Sequence, residues 1–105
     1  VSEQATITSP LLKALRGIPG VVAYRIHASL PTKRMRGAGA GLPDIAVVVR
    51  GVALFFEAKR PVGGRYQPGQ LAKHAELRRA GARVEVVTSV AEGIATVRNI
   101  LEGTA

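Results

Sequence analysis

Three charged residues, Asp44, Glu57 and Lys59, bracket the most apolar stretch of the chain, GLPDIAVVVRGVALFFEAKRP, from Gly41 to Pro61. Charged side chains seldom enter apolar surroundings unless they are paired or bind something. If this stretch is a hairpin turning on Arg50 and Gly51, Val49 faces Val52, and counting outward brings Asp44 opposite Glu57. Facing residues project from the same side of a sheet, and Lys59, two residues past Glu57, shares that side. Facing Cβ atoms lie roughly 4.5–5.5 Å apart, so two carboxylates so placed repel each other. A divalent cation relieves that repulsion, since Mg²⁺ typically takes one or two protein carboxylates together with water and substrate phosphate. A lysine beside the pair adds positive charge where a phosphate and an attacking water would sit, which is the electrostatics of metal-assisted phosphodiester hydrolysis. The trio also fits a plainer arrangement, a Glu57–Lys59 pair at a strand end with Asp44 capping the turn after Pro43, because perturbed charge clusters are often structural. The fixed approach through Pro43, the facing parity and the basic balance of the chain favour the chemical reading.

The elements that must position these residues follow from local patterns. Residues Ser2–Arg16 read as a helix, with Ile7, Leu11, Leu12 and Leu15 on one stripe. Pro10 must either kink that helix or stand in its first turn, with the start near Ser9. VVAYRIHA, Val21–Ala28, is rich in β-branched residues and reads as a strand. SLPTKRMRGAGAG is a loop, the two hairpin strands follow, and PVGGRYQPGQ is a second loop. A helix is expected from about Pro68 to Ala80, stopped by Gly81. ARVEVVTS reads as a fourth strand, and VAEGIATVRNILEG as a closing helix with Ser89 as its N-cap. The expected order is α-β-β-β-α-β-α. Its β-α-β crossover requires a parallel strand pair. The fold class is therefore α/β, a mixed β-sheet flanked by helices. A chain of 105 residues suffices for one domain, residues 1–105, and neither repeats nor a linker divide it.

Composition narrows the function classes. With 47% hydrophobic and 21% charged residues this is a folding sequence rather than a disordered one. There is no Cys, which excludes a disulfide framework and thiolate metal sites. No apolar stretch approaches the roughly 20 residues of a membrane span, and the polar start VSEQATITSP shows no signal-peptide pattern, so a cytoplasmic protein is expected. Fifteen Lys and Arg against seven Asp and Glu give a net charge of +8, which favours a polyanion, nucleic acid being the commonest. Lys33, Arg34, Arg36, Arg60, Arg65 and Lys73 flank the trio in sequence and are candidate phosphate contacts. Aromatic residues at 4% argue against a single-strand binder built on base stacking.

Pro43-Asp44 and Glu57-Ala58-Lys59, separated by an apolar hairpin, resemble the motif of the PD-(D/E)xK nuclease superfamily. The wider pattern is GLPD, then FEAKRP with Gly63-Gly64, then Gln70, Gly81 and RVEVVTSVAEG. It is similar to the VRR-NUC family from Gly41 to about Leu101. The resemblance implies a restriction-endonuclease-like core and an Mg²⁺- or Mn²⁺-dependent endonuclease acting on double-stranded or branched DNA. It also implies a homodimer selective for structures such as Holliday junctions, bacterial or phage-encoded. By position, it implies that Asp44, Glu57 and the Ala58 backbone carbonyl bind the metal. Lys59 would then orient the water and stabilise the transition state, and Gln70 would support the site. Gln67 competes for that last role, but the spacing from Gln70 to Gly81 fits the family better. A glutamate on the first helix often aims at the metal in this family, and Glu3 is the candidate. The alternatives are a non-catalytic basic DNA-binding module on the same fold, or a nicking or non-selective nuclease of a phage or mobile element.

Other signals carry less. GAGAG precedes a strand rather than a helix and lacks a Walker Lys-Ser/Thr, so it is no phosphate loop. His27 and His74 do not converge on any metal pattern, although His74 lies one helical turn after Gln70 and shares its helix face.

Overall fold

A computed structural model describes residues 2–26, 41–66 and 68–103. Within them the element order is the expected one: α1 (Ser9–Arg16), β1 (Val21–Arg25), β2 (Ile45–Val49), β3 (Val52–Ala58), α2 (Gln70–Arg79), β4 (Arg83–Val87) and α3 (Val90–Leu101). The strand expected over Val21–Ala28 ends at Arg25, and the last two of those residues lie outside the described residues. Pro10 decides how the first helix begins. It stands in the first turn of α1, where its missing N–H costs nothing. Gln4–Thr8 ahead of it form a wider π-helical turn, in which the Ser9 N–H reaches back five residues to the Gln4 carbonyl. α2 starts two residues later than expected, because Gly69 adopts a left-handed φ of 84° at its N-cap and breaks the run from Pro68.

The described strands form one sheet in the order β1-β2-β3-β4. The first three are antiparallel, and β3 and β4 pair in parallel through the α2 crossover. The hairpin turns on Arg50 and Gly51, which have φ of 50° and 77°, and Val49 pairs with Val52 and Ile45 with Phe56. Positive φ at both central residues matches the right-handed twist of the flanking strands. Arg50, though not a glycine, is held there by its guanidinium, which donates to the Leu101 carbonyl at the end of α3 at 2.6 Å.

The two sheet faces are treated differently. Ala23, Ile45, Val47, Val49, Leu54, Phe56, Ala58 and Val87 point to one face and are buried with Leu11, Leu12 and Leu15 of α1 and Val97 and Ile100 of α3. Gly93 lets the helices close there, since a Cβ at that position would meet Leu11 at 2.6 Å. On the other face α2 packs on β4. Val22, Tyr24 and Val48 of that face remain 49%, 61% and 53% exposed. Asp44, Glu57 and Lys59 belong by parity to this half-covered face. No helix among the described residues is long and apolar enough to cross a membrane.

The turn yields a direct test. A Cβ at Gly51 would meet no atom within 4 Å, so any effect of a side chain there is backbone strain alone. Gly51→Ala is expected to lower unfolding free energy by about 1–2 kcal/mol, measured by urea denaturation, with the native fold retained.

Candidate active site

β2 and β3 carry the register one step past their last strand pair: the Asp44 N–H donates to the Phe56 carbonyl at 2.9 Å. At that sheet end the Ala58 N–H has no β2 carbonyl opposite it, and Asp44 Oδ2 accepts it at 2.7 Å. On β3's other edge the Lys59 N–H donates to the Val87 carbonyl of β4 at 2.9 Å. Residues 58 and 59 share a trans peptide, so the Ala58 carbonyl points away from β4, toward the edge where Asp44 sits. The Asp44 carboxylate and the Ala58 carbonyl therefore converge at the open end of the hairpin.

Among the described residues five polar or charged side chains are buried, and four of them, Glu57, Lys59, Gln70 and His74, make one cluster. Glu57 Oε1 lies 3.2 Å from His74 Nε2, and Glu57 Oε2 lies 3.8 Å from Lys59 Nζ. Lys59 Nζ donates to Gln70 Oε1 at 2.8 Å and to the Arg65 carbonyl at 2.6 Å. It stands 4.9 Å from the centre of the Tyr66 ring, which also meets His74 in a T-shaped arrangement at a centroid distance of 6.1 Å. An ammonium has three donors, so two are fixed by the protein and orient the third.

The two carboxyls set the electrostatics. Burial, then the charge of Asp44 and a hydrogen bond with it, push Glu57 up from 4.5 to about 8, against the opposing pull of Lys59 and Gln70. Burial and the charges of Arg78 and Lys59 lower His74, so the imidazole is neutral and its contact with Glu57 is a hydrogen bond rather than an ion pair. A carboxyl pair that holds a proton well above the usual range is a donor set matched to a divalent cation, which can take the proton's place between the oxygens. Among the described residues no three Asp, Glu, His or Cys side chains are grouped to hold a metal by themselves, so such a cation would draw on these two carboxylates, backbone oxygen and water.

Two close backbone approaches position the cluster. A Cβ on Gly41, whose φ is 79°, would come within 2.5 Å of the Gly69 carbonyl, so the chain entering Asp44 runs against the turn that starts α2 with Gln70. A Cβ on Gly64 would come within 2.7 Å of the Arg60 carbonyl and 3.1 Å of Lys59 Cβ, so the loop after β3 folds onto the lysine.

Other candidates are arranged less centrally. Glu3 Oε2 accepts the Arg60 N–H at 2.7 Å, next to Lys59 in the chain but not grouped with Asp44 and Glu57. Arg60 and Arg65 are exposed beside the cluster. Lys73 pairs with Glu76 at 3.0 Å. Lys33, Arg34, Arg36, His27 and Gln67 lie outside the described residues. His74 and Tyr66 are members of the cluster that sequence reasoning did not assign. The i, i+4 spacing of Gln70 and His74 was the available signal for the first, and nothing local marks the second.

Because folded Glu57 holds its proton above its ordinary value, the folded chain binds more protons than the unfolded chain between pH 4.5 and about 8. Stability therefore falls as pH rises through that window. In chelator, Glu57→Gln is expected to flatten this fall, read as urea midpoints at the two ends of the window.

A search of solved structures finds a chain described as a VRR_NUC domain, with a TM-score of 0.67 over 93% of this chain and 97% of that one, at 22% sequence identity. No protein-family model matches the sequence. No curated protein matches it either. The mixed four-stranded sheet with its flanking helices is thus the fold of that VRR_NUC domain.

Proposed function

We propose that this chain is a metal-dependent endonuclease that hydrolyses DNA phosphodiester bonds and acts as a homodimer on branched substrates. The observation that carries the reading is the enforced apposition of Asp44 and Glu57 beside a buried, oriented Lys59. Asp44, Glu57 and the Ala58 carbonyl would hold Mg²⁺ or Mn²⁺. When bound, such a cation polarises a phosphoryl oxygen and lowers the pKa of a water. The remaining work falls to the chain. Lys59, fixed by Gln70 and the Arg65 carbonyl, turns its third donor to the negative charge that builds on the phosphate. Gln70 positions Lys59, and neutral His74 holds the Glu57 carboxyl in place. Arg60 and Arg65, together with Lys33, Arg34 and Arg36, supply phosphate contacts that are not sequence-specific, while Lys73 contributes less because Glu76 pairs with it.

The similar structure's description as a VRR_NUC domain, the net charge of +8 and the buried polar cluster support a nuclease together. The exposed apolar face of Val22, Tyr24 and Val48 supports a second copy, since apolar residues grouped on a sheet face mark association surfaces.

Supercoiled, linear and four-way-junction DNA, each incubated with Mg²⁺, Mn²⁺ or chelator, tests the reading. Metal-dependent cleavage, fastest on the junction, is expected. Asp44→Ala and Lys59→Ala should each slow it about a hundredfold or more, while salt-sensitive DNA binding persists. DNA binding without cleavage of any substrate would instead identify a non-catalytic module. For the dimer, sedimentation of Tyr24→Glu is expected to give a monomer where the parent gives twice the mass.

A further inference from the structure

Each carboxylate of the candidate site is already held by the chain at one of its two oxygens. Asp44 Oδ2 accepts the Ala58 N–H at 2.7 Å. Glu57 Oε1 lies 3.2 Å from His74 Nε2. An ionised carboxylate only accepts hydrogen bonds, so His74 must present a protonated Nε2 to Glu57 once that group is ionised. The imidazole is held for this. It is buried, and its ring meets Tyr66 with the two planes 75° apart. It shares the buried face of α2 with Gln70, which also hydrogen-bonds Glu57. Lys59 Nζ stands 3.8 Å from Glu57 Oε2, too far for a hydrogen bond. The two carboxyls are hydrogen-bonded to each other, so they face a common point.

This arrangement limits how a cation can be held. A carboxylate with one oxygen tied to a donor offers the other, so Asp44 and Glu57 together supply two oxygens rather than four. The Ala58 carbonyl adds one more, and no third Asp, Glu, His or Cys side chain joins the pair among the described residues. Water must fill the remaining positions. Mg²⁺ suits such a set, because it takes one or two carboxylates, keeps several waters and demands near-octahedral geometry at about 2.0–2.1 Å. Mn²⁺ accepts the same octahedral oxygen geometry. Ca²⁺ is larger, takes about 6–8 oxygens, and draws some of them from carboxylates that bind through both oxygens. Released from His74, Glu57 would have that second oxygen to give.

We propose that His74 is a positioning residue that restricts Glu57 to ligation through one oxygen, and so makes the site select Mg²⁺ and Mn²⁺ over Ca²⁺. The inference rests on the metal-dependent reading of the site and adds to it the cation that the site disfavours. Hydrogen-bond partners of ligating groups typically govern about 10–100-fold of metal affinity.

The test is cation binding to the full chain without DNA. All measurements are made at one pH, where the cost of releasing the Glu57 proton is common to both cations. Free Mn²⁺ is counted by electron paramagnetic resonance, and Ca²⁺ by the Mn²⁺ that it displaces. The parent is expected to bind Mn²⁺ more tightly than Ca²⁺, and Asp44→Ala to lose the Mn²⁺ binding, which assigns it to this site. His74→Leu keeps apolar bulk and removes the donor, and should shrink the Mn²⁺-to-Ca²⁺ affinity ratio about tenfold or more. His74→Gln, whose amide places an N–H near the position of Nε2, should restore the ratio. A His74 that served the fold alone would lower the urea midpoint of His74→Leu and leave the ratio at the parental value. That outcome overturns the proposal. So does a ratio that His74→Gln fails to restore, a parent without the preference, or Mn²⁺ binding that survives Asp44→Ala. A parent that shows the preference yet cuts no DNA in Mg²⁺ overturns the nuclease reading and leaves the role of His74 standing. A parent that cuts DNA in Mg²⁺ while His74→Leu keeps the parental ratio does the reverse.

Discussion

The structure depends on two carboxyl groups that the sheet does not allow to separate. Asp44 and Glu57 are brought together by the register of a hairpin whose other members are apolar and buried. Sliding the register by one residue would turn every buried side chain to the wrong face, so the apolar pairs enforce the charged one. Burial, with the Asp44 charge after it, raises the Glu57 carboxyl to about 8 in place of 4.5. A fold that optimised stability alone would have no reason to keep it.

α2 is arranged around this constraint. The residues it buries are Gln70 and His74, so it meets the sheet with a polar face. Gln70 bonds Lys59 and His74 bonds Glu57, while Arg78 near the end of the helix donates to the Val84 carbonyl of β4. The opposite sheet face has the ordinary arrangement, with leucines of α1 and aliphatic residues of α3 against valines, isoleucine and phenylalanine. The apolar layer supplies the rigidity that lets the polar layer be strained.

The glycines mark where backbone must approach backbone. Gly41 against Gly69 joins the entry to Asp44 with the start of α2, and Gly64 folds the following loop onto Lys59. The first contact joins segments 28 residues apart in the chain, the second closes a local loop. The first explains why a short motif needs the distant start of α2.

The sequence by itself determined the element order, the hairpin turning on Arg50 and Gly51, and the facing of Asp44 with Glu57. Two local rules suffice for these: side chains alternate along a strand, and a two-residue turn sets the register. The start of α1 was legible only as two options around Pro10, because a proline forbids one hydrogen bond without choosing its replacement. Only the tertiary structure decided that His74 bonds to Glu57, that Tyr66 stands beside Lys59, and that Glu3 takes the Arg60 N–H. Those contacts join a crossover helix, a loop and the N-terminal turn to the end of one strand. Local propensity fixes the shape of each segment but not where it docks, and docking is settled by which buried donors and acceptors can satisfy one another.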